Sequence, residues 1–398
     1  MGFTSGVQRR QFVGLMMAAA LAAGGASGAA FAANTTPAEA GVTADTILLG
    51  QSAALSGPTA VLGKQMNAGA RLYFDYINSH GGVFGRKIEL KVLDDAYEPD
   101  DAVKNTKKLI EEDRVFALFG YVGTPTSQAV LPQVNQARIP FFAPFSGAQT
   151  LRAPHSRYVF HVRAGYEEET AAIVRQIRTT GLKRIAVVYN DDGYGKAGLA
   201  GIEHAVKALP ADSGVVLVAQ SSVVRNTVEI GDAMQEAMKA KPDAVVLISA
   251  YRTAGSFVKE ALRRGYSGQF YNVSFVGTQA LAKEVGPQGS GVIISQVMPH
   301  PGNATLPVVR EYLRLLQAAG KQNEFDYASI EGFIGAKAFV EGLRRAGKDL
   351  TRDRFVTAVE SMRNVDLGGF IVQFGPDNHV GSKFVEMTII NSRGVVIR

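Results

Sequence analysis

Three glycines, Gly193, Gly195 and Gly198, follow the apolar run 185–189 in the spacing G-x-G-x-x-G. After a strand and at the start of a helix, that spacing cradles a dinucleotide pyrophosphate, because glycines let backbone amides come close to the phosphates. The neighbouring residues argue against it. Asp191 and Asp192 stand between strand and first glycine, where their charges repel a pyrophosphate. The far end of the next predicted strand, 215–219, is followed by Gln220 where a ribose-binding acid belongs, and Asp212 precedes that strand, at the wrong edge of the sheet. The glycines read as a helix-opening turn.

Other catalytic signals are thin. His80, His155, His161, His204, His300 and His379 offer no i, i+4 pair on a helix, and each reads as a surface or loop residue. No G-x-S-x-G elbow occurs, and Ser256-x-x-Lys259 lacks the companion motifs of its enzyme class. The Walker-like spacing 342–348 is followed by Asp349 instead of a hydroxyl. A cysteine count of zero excludes disulfides, a thiolate nucleophile and a cysteine-based metal centre. The chain reads as a non-enzyme with no cofactor and no metal.

Small polar loops are the better candidates. Ser56-Gly57-Pro58, Gly123-Thr124-Pro125-Thr126-Ser127 and Ser146-Gly147-Ala148 each follow a predicted strand in the first half. Ligands of open parallel sheets sit outside the strand C-terminal ends, where amides and hydroxyls at a helix start suit a carboxylate. Tyr194, Tyr251 and Phe275 fall just beyond strands in the second half and supply an aromatic wall.

The elements that must position these loops alternate strand and helix. Strands are predicted at 46–50, 88–93, 116–119 and 139–143, with helices at 61–79, 99–113 and 125–137 between them. The pattern restarts near 158–162 and repeats, with strands at 184–189, 215–219, 244–248, 269–273 and 292–296. Apolar strands joined by helices indicate parallel sheets covered on both faces. Three helices at 306–319, 327–346 and 353–362 have no strands between them and need the first block to pack on; 369–374 and 384–391 close the chain as strands.

The net charge is +6, yet Lys and Arg are scattered among acids with no run of five, so no nucleic-acid partner is implied. Residues 1–32 read as a signal peptide: Arg9-Arg10, an apolar stretch from 12 to 23, and Ala30-Phe31-Ala32 before a cleavage near Ala32/Ala33. Arg9-Arg10-Gln11-Phe12-Val13 also resembles a twin-arginine export signal. With no cysteine for a lipid, the expected location is the periplasm.

Leu55-Ser56-Gly57-Pro58 with Gly63, Ala68-Gly69-Ala70, the stretch Ile77-Asn78-Ser79-His80-Gly81-Gly82-Val83 and Leu93-Asp94-Asp95 together form a recognisable series. Pro140-Phe141-Phe142-Ala143-Pro144-Phe145-Ser146-Gly147-Ala148 and Asp191-Asp192-Gly193-Tyr194-Gly195 continue it in order. The series resembles the periplasmic substrate-binding proteins of branched-chain amino acid (leucine/isoleucine/valine) ABC transporters, over essentially the whole mature chain. The resemblance implies an α/β, type I periplasmic binding protein fold: two Rossmann-like lobes with parallel-sheet cores joined by a three-crossover hinge. The crossovers are expected near 160–162, 295–297 and 369–372. Lobe 1 would be 44–162 plus 297–369, and lobe 2 would be 163–296 plus 370–398.

The resemblance further implies that Gly123-Thr124 and Phe145-Ser146-Gly147 hold a carboxylate, that Leu62 shapes an apolar pocket, and that Tyr194 and Tyr251 face the cleft. One departure stands out. Amino-acid binders place an acidic residue of the second lobe on the ligand's ammonium, and the matching stretch Val273-Ser274-Phe275-Val276-Gly277 has none. The ligand expected is a small amino acid or a related aliphatic or aromatic carboxylate, the partner an ABC permease, and the protein a monomer. An exported NAD(P)-dependent oxidoreductase and a ligand-sensing domain of a signalling system are the alternative functions.

Overall fold

A computed structural model describes residues 39–398; the signal peptide and its cleavage point lie outside them. The first sheet contains β1 (Thr46–Ala53), β2 (Lys87–Asp94), β3 (Ala117–Phe119), β4 (Phe141–Phe142) and β5 (Val159–Phe160), in the order β2-β1-β3-β4-β5, all parallel. Helices α1 (Ala60–Ser79), α2 (Pro99–Glu111) and α3 (Thr124–Ala137) connect them. The second sheet repeats the same order one lobe later. Its strands β6 (Arg184–Asn190), β7 (Val216–Val223), β8 (Ala244–Ile248), β9 (Gln269–Asn272) and β10 (Ile293–Gln296) run β7-β6-β8-β9-β10. Helices α4 (Tyr166–Thr179), α5 (Gly193–Lys207), α6 (Gly231–Lys239), α7 (Tyr251–Arg263) and α8 (Thr278–Val285) cover it. The expected tandem of parallel-sheet lobes is what forms, with strand ends displaced by one or two residues at most positions.

The strand-poor helices α9 (Pro307–Ala318), α10 (Tyr327–Ala346) and α11 (Arg352–Glu360) return to the first lobe. Helix α10 lies directly on α1: a Cβ at Gly69 would overlap the Ser329 carbonyl, and one at Gly332 the Met66 carbonyl. Only glycine allows two backbones so close. Phe339 of α10 and Phe355 of α11 then complete an aromatic core with Phe119 and Phe142, at centroid distances of 5.8 Å for Phe119–Phe339, 5.3 Å for Phe142–Phe339 and 6.0 Å for Phe142–Phe355.

Three sequence expectations need correction. Strand β7 runs on to Val223, so Gln220 lies inside it, opposite Val187, and not at its end. Two histidines are buried: His161 bonds the Leu151 carbonyl at 3.0 Å, His379 stacks on Phe160, and desolvation holds both below the usual imidazole range, His379 at about 4. The third passage between lobes also falls later than 369–372. Strands β11 (Val365–Asp366) and β12 (Ile371–Val372) form their own hairpin, and Phe374 packs on Phe142 and Phe160 of the first lobe. Only β13 (Glu386–Ile390) joins the second sheet, antiparallel to β10, followed by β14 (Val396–Ile397). The large Phe374 ring is buried in the first core, and that burial decides where the chain crosses. Among the described residues no helix is long and apolar enough to cross a membrane.

Candidate functional site

The loops at the C-terminal ends of β2, β3 and β4 are held by short polar ties. Beyond β2, the Asp95 carboxylate accepts from Ser52 Oγ at 2.6 Å and from the Tyr97 amide at 2.9 Å. These bonds pin Ala96 and Tyr97 in the left-handed region, at φ +48° and +67°, a conformation costly for residues with a side chain. Burial raises the Asp95 pKa to about 6 against those hydrogen bonds. Beyond β3, Gly123 has φ +106°, and a Cβ there would overlap the Tyr97 ring, so both the angle and the contact require glycine. It leads into α3, whose first residue Thr124 shares a 2.7 Å hydroxyl–hydroxyl bond with Ser146. Beyond β4, the 146–148 loop is braced by half-buried Arg152, which donates to the carbonyls of Ser146 (3.2 Å) and Ala148 (3.0 Å). At Gly147 a Cβ would stand 2.5 Å from the Tyr166 ring.

The second lobe faces these loops with aromatic side chains. Asp192 caps α5 through one oxygen, accepting from the amides of Tyr194 and Gly195 at 2.9 Å each. A pyrophosphate would need those same amides. A Cβ at Gly195 would overlap the Asn190 carbonyl, and one at Gly198 would sit 2.5 Å from Ile248, so the glycines serve helix–strand packing. Phe275 is central: its ring lies 4.6 Å from Tyr194, 5.3 Å from Phe145 and 6.1 Å from Tyr97. The hydroxyls of Tyr97 and Tyr194 are buried without a partner, and burial raises both pKa values well above the ordinary phenol range, so both remain protonated donors.

The predicted residues therefore fall into two touching groups. Gly123, Thr124, Phe145, Ser146, Gly147, Tyr194 and Phe275 join through direct contacts or through Tyr97 and Tyr166. Leu62 and Tyr251 meet instead beside Gly277, where a Cβ would be 2.7 Å from Leu62 and 3.4 Å from Tyr251. Sequence reasoning missed Tyr97 and Tyr166, although the rule that found Tyr194 applies to both: each follows a strand end within a few residues.

It also missed a buried ionic cluster at the same level. Arg163, on the segment leaving β5, donates to Glu169 at 3.0 Å and to the Ser274 hydroxyl, and reaches Glu331 of α10 at 3.4 and 3.5 Å. Glu169 is saturated by Arg163, the Ser274 amide (2.8 Å) and the hydroxyls of Ser274 (3.0 Å) and Ser295 (2.6 Å). A larger hollow of about 880 Å³ lies between α6 and α7 around Met234, Lys259 and Arg263. It opens widely to solvent, away from the buried unpartnered hydroxyls, so the cleft between the lobes is the stronger site. What the cleft offers is recognition: hydroxyl and amide donors on one side, rings on the other.

A family model described as periplasmic binding protein matches residues 46–393. The "Leu/Ile/Val-binding protein homolog 8" of Brucella abortus (strain 2308) is 25% identical over 346 residues, covering 81% of this chain and 83% of that protein. A substrate-binding periplasmic protein from Ralstonia solanacearum superposes with TM-score 0.82 and 33% identity, over 88% of this chain and 99% of its own. A branched-chain amino acid ABC transporter structure from Thermus thermophilus with bound valine has TM-score 0.79 at 18% identity, covering 89% of this chain and 96% of that one, a likeness of fold alone.

Proposed function

The chain belongs to the periplasmic binding protein family, and from that premise we propose that it is the periplasmic solute-binding component of an ABC importer. It would capture a small amino acid or a related aliphatic or aromatic carboxylate between two closing lobes and deliver it, as a monomer, to a membrane permease. One observation carries the reading. A tied pair of hydroxyls, Thr124 and Ser146, lies on one lobe opposite an aromatic wall whose phenols, with Tyr97, leave hydroxyl donors unpartnered and buried. Buried polar groups are normally hydrogen-bonded, so such donors converging between lobes support a ligand that supplies acceptors. The carboxylate would sit against Gly123, Thr124, Phe145, Ser146 and Gly147, and its side chain against Tyr194, Phe275, Leu62 and Tyr251. The lobes would be 44–162 with 297–384, and 163–296 with the remainder, so that closure buries the ligand and ligand contacts favour the closed form.

The test is mass spectrometry of the protein purified without denaturation, followed by calorimetric titration with valine, leucine and a panel of aryl and keto acids. A co-purifying or titrating carboxylate, weakened at least tenfold by combined Thr124→Val and Ser146→Ala, is the expected result. A neutral or cationic ligand whose affinity ignores both substitutions overturns the reading.

A further inference from the structure

Two of the passages between the lobes are tied together where they leave the first lobe. The amide of His161, just beyond β5, donates to the His379 carbonyl at 2.8 Å, and the His161 carbonyl accepts from the Gly381 amide at 2.7 Å. Residues 379–381 lie between Phe374, packed in the first core, and β13, the strand that joins the second sheet. The His379 ring seats this stretch on the first lobe. It stacks on Phe160 with ring centroids 3.9 Å apart, and the residue is 4% exposed.

The ring's surroundings fix its tautomer. Nδ1 lies 3.2 Å from the Ser156 carbonyl and 3.1 Å from that of Val159. Both are acceptors, so Nδ1 carries the proton and Nε2 keeps a lone pair. Nε2 has no hydrogen-bond partner, and the group facing it is the half-buried Glu360 carboxylate at the end of α11, 3.4 Å away. Two acceptors thus confront each other. A water cannot stand between them, because two hydrogen bonds of ~2.8 Å end to end span more than this gap. Nor is this a metal centre: among the described residues no three histidine or acidic side chains gather to hold an ion. A proton is the occupant that turns the contact into a bond.

We infer that Glu360 and His379 form a proton-operated brace on the hinge: protonated Glu360 donates its O–H to His379 Nε2 and holds the third passage against the first lobe, and ionised Glu360 leaves that tie unmade. That the brace stiffens the pivot of a closing clamp rests on the reading above; the brace itself does not. The neighbouring charges decide which partner takes the proton. His155 stacks edge-on against the His379 ring at 4.4 Å, Arg157 of the same loop pairs with Asp353 of α11 at 3.7 Å, and Asp377 lies in the turn before His379. Burial pushes the Glu360 carboxyl up, with Arg157 and His155 opposing and Asp377 adding. Burial, with His155 adding, holds the imidazole at about 4, against its two carbonyl bonds. The carboxyl therefore protonates before the ring, and the brace is tighter at low pH.

Hydrogen–deuterium exchange of the ligand-free mature chain at pH 4.5 and 7.5 tests the brace, with intrinsic rates divided out. Peptides carrying the His161 and Gly381 amides report the tie, and peptides of β8, deep in the second sheet, report global opening. Relative to β8, protection about 3- to 10-fold greater at pH 4.5 is expected, the factor that one net hydrogen bond supplies. Glu360→Gln sets a permanent N–H donor opposite Nε2 and should show the higher protection at both pH values; Glu360→Ala should show the lower at both. Equal protection at the two pH values in the parent overturns the brace, as does a pH dependence that persists in Glu360→Gln. Imidazole nitrogen-15 resonances of the parent give a reading that needs no variant to fold. A proton on Nδ1 and none on Nε2 at pH 7.5 is expected, and a proton on Nε2 there overturns the proposal.

Discussion

Glu98 and the segment 225–226 make the test of closure with the most definite magnitude. Glu98 follows Tyr97 on the first lobe; its carboxylate is held by Arg225 and, at 3.0 Å, by the Asn226 side-chain amide, both from the loop after β7 on the second. The ion pair is partly solvated, with side chains 24% and 43% exposed, so it contributes about 0.5–1 kcal/mol. The amide bond to a partly exposed carboxylate adds a similar ~0.5–1 kcal/mol. Glu98 occupies the N-cap position of α2 but makes no side-chain cap, so its truncation leaves the helix start intact. Glu98→Ala should therefore lower the closed-to-open ratio by ~1–2 kcal/mol, roughly 5- to 30-fold. Because this clasp exists only when the lobes meet, the loss should fall on ligand dissociation and leave association nearly unchanged. Stopped-flow tyrosine fluorescence reads both rates, since the chain has 13 tyrosines and no tryptophan to mask them. At 1 M salt, where screening acts over about 3 Å, the ion-pair share is weakened and the difference between variant and parent should shrink to roughly that of the Asn226 hydrogen bond. A dissociation rate within twofold of the parent at low salt refutes the clasp.

Gly147→Ala would push a methyl to 2.5 Å from the buried Tyr166 ring, and overpacking of that kind should cost about 1–3 kcal/mol in urea unfolding, together with weaker ligand binding. Tyr194→Phe removes a buried hydroxyl that has no partner, so the ligand-free protein should be no less stable while affinity falls about 3- to 10-fold; unchanged affinity in calorimetry places Tyr194 outside the site. Glu331 is raised from 4.5 to about 7, so the folded state binds the extra proton between those values and loses stability as pH rises through them. Asp95 and Asp326 at about 6 act in the same direction, and His379 at about 4 acts oppositely between 4 and 6.5. Glu331→Gln should remove up to roughly 2 kcal/mol of that decline between pH 5.5 and 7.5, seen as a flatter urea-stability profile; parallel profiles would contradict the assignment.

Most of the fold was legible because its signals are local. Short apolar strands separated by amphipathic helices announce a parallel α/β sheet, and the block restarts after β5 at the point where the second sheet begins. Asp191 and Asp192 ahead of Gly193 were enough to separate a capped helix start from a phosphate site. The misreadings came where packing between distant segments decides. Nothing near residue 374 says that its ring enters a core formed by Phe142 and Phe160, more than two hundred positions earlier. Arg163 and Glu331 carry no periodic or motif signature; only the fold places them 3.4 Å apart, which is why the buried ionic cluster was not foreseen. Tyr97 was within reach of the strand-end rule and was overlooked.

The contact of α1 with α10 bears on how the chain folds as it is made. Gly69 and Ser329 are neighbours in space, yet the ribosome joins them only after most of the second lobe has emerged. An amino-terminal fragment ending before Phe339 and Phe355 leaves half of the aromatic core of the first lobe uncovered. That lobe cannot complete itself early, and contacts of such high sequence separation form slowly. The first lobe of the nascent protein thus stays incompletely packed until synthesis is nearly finished.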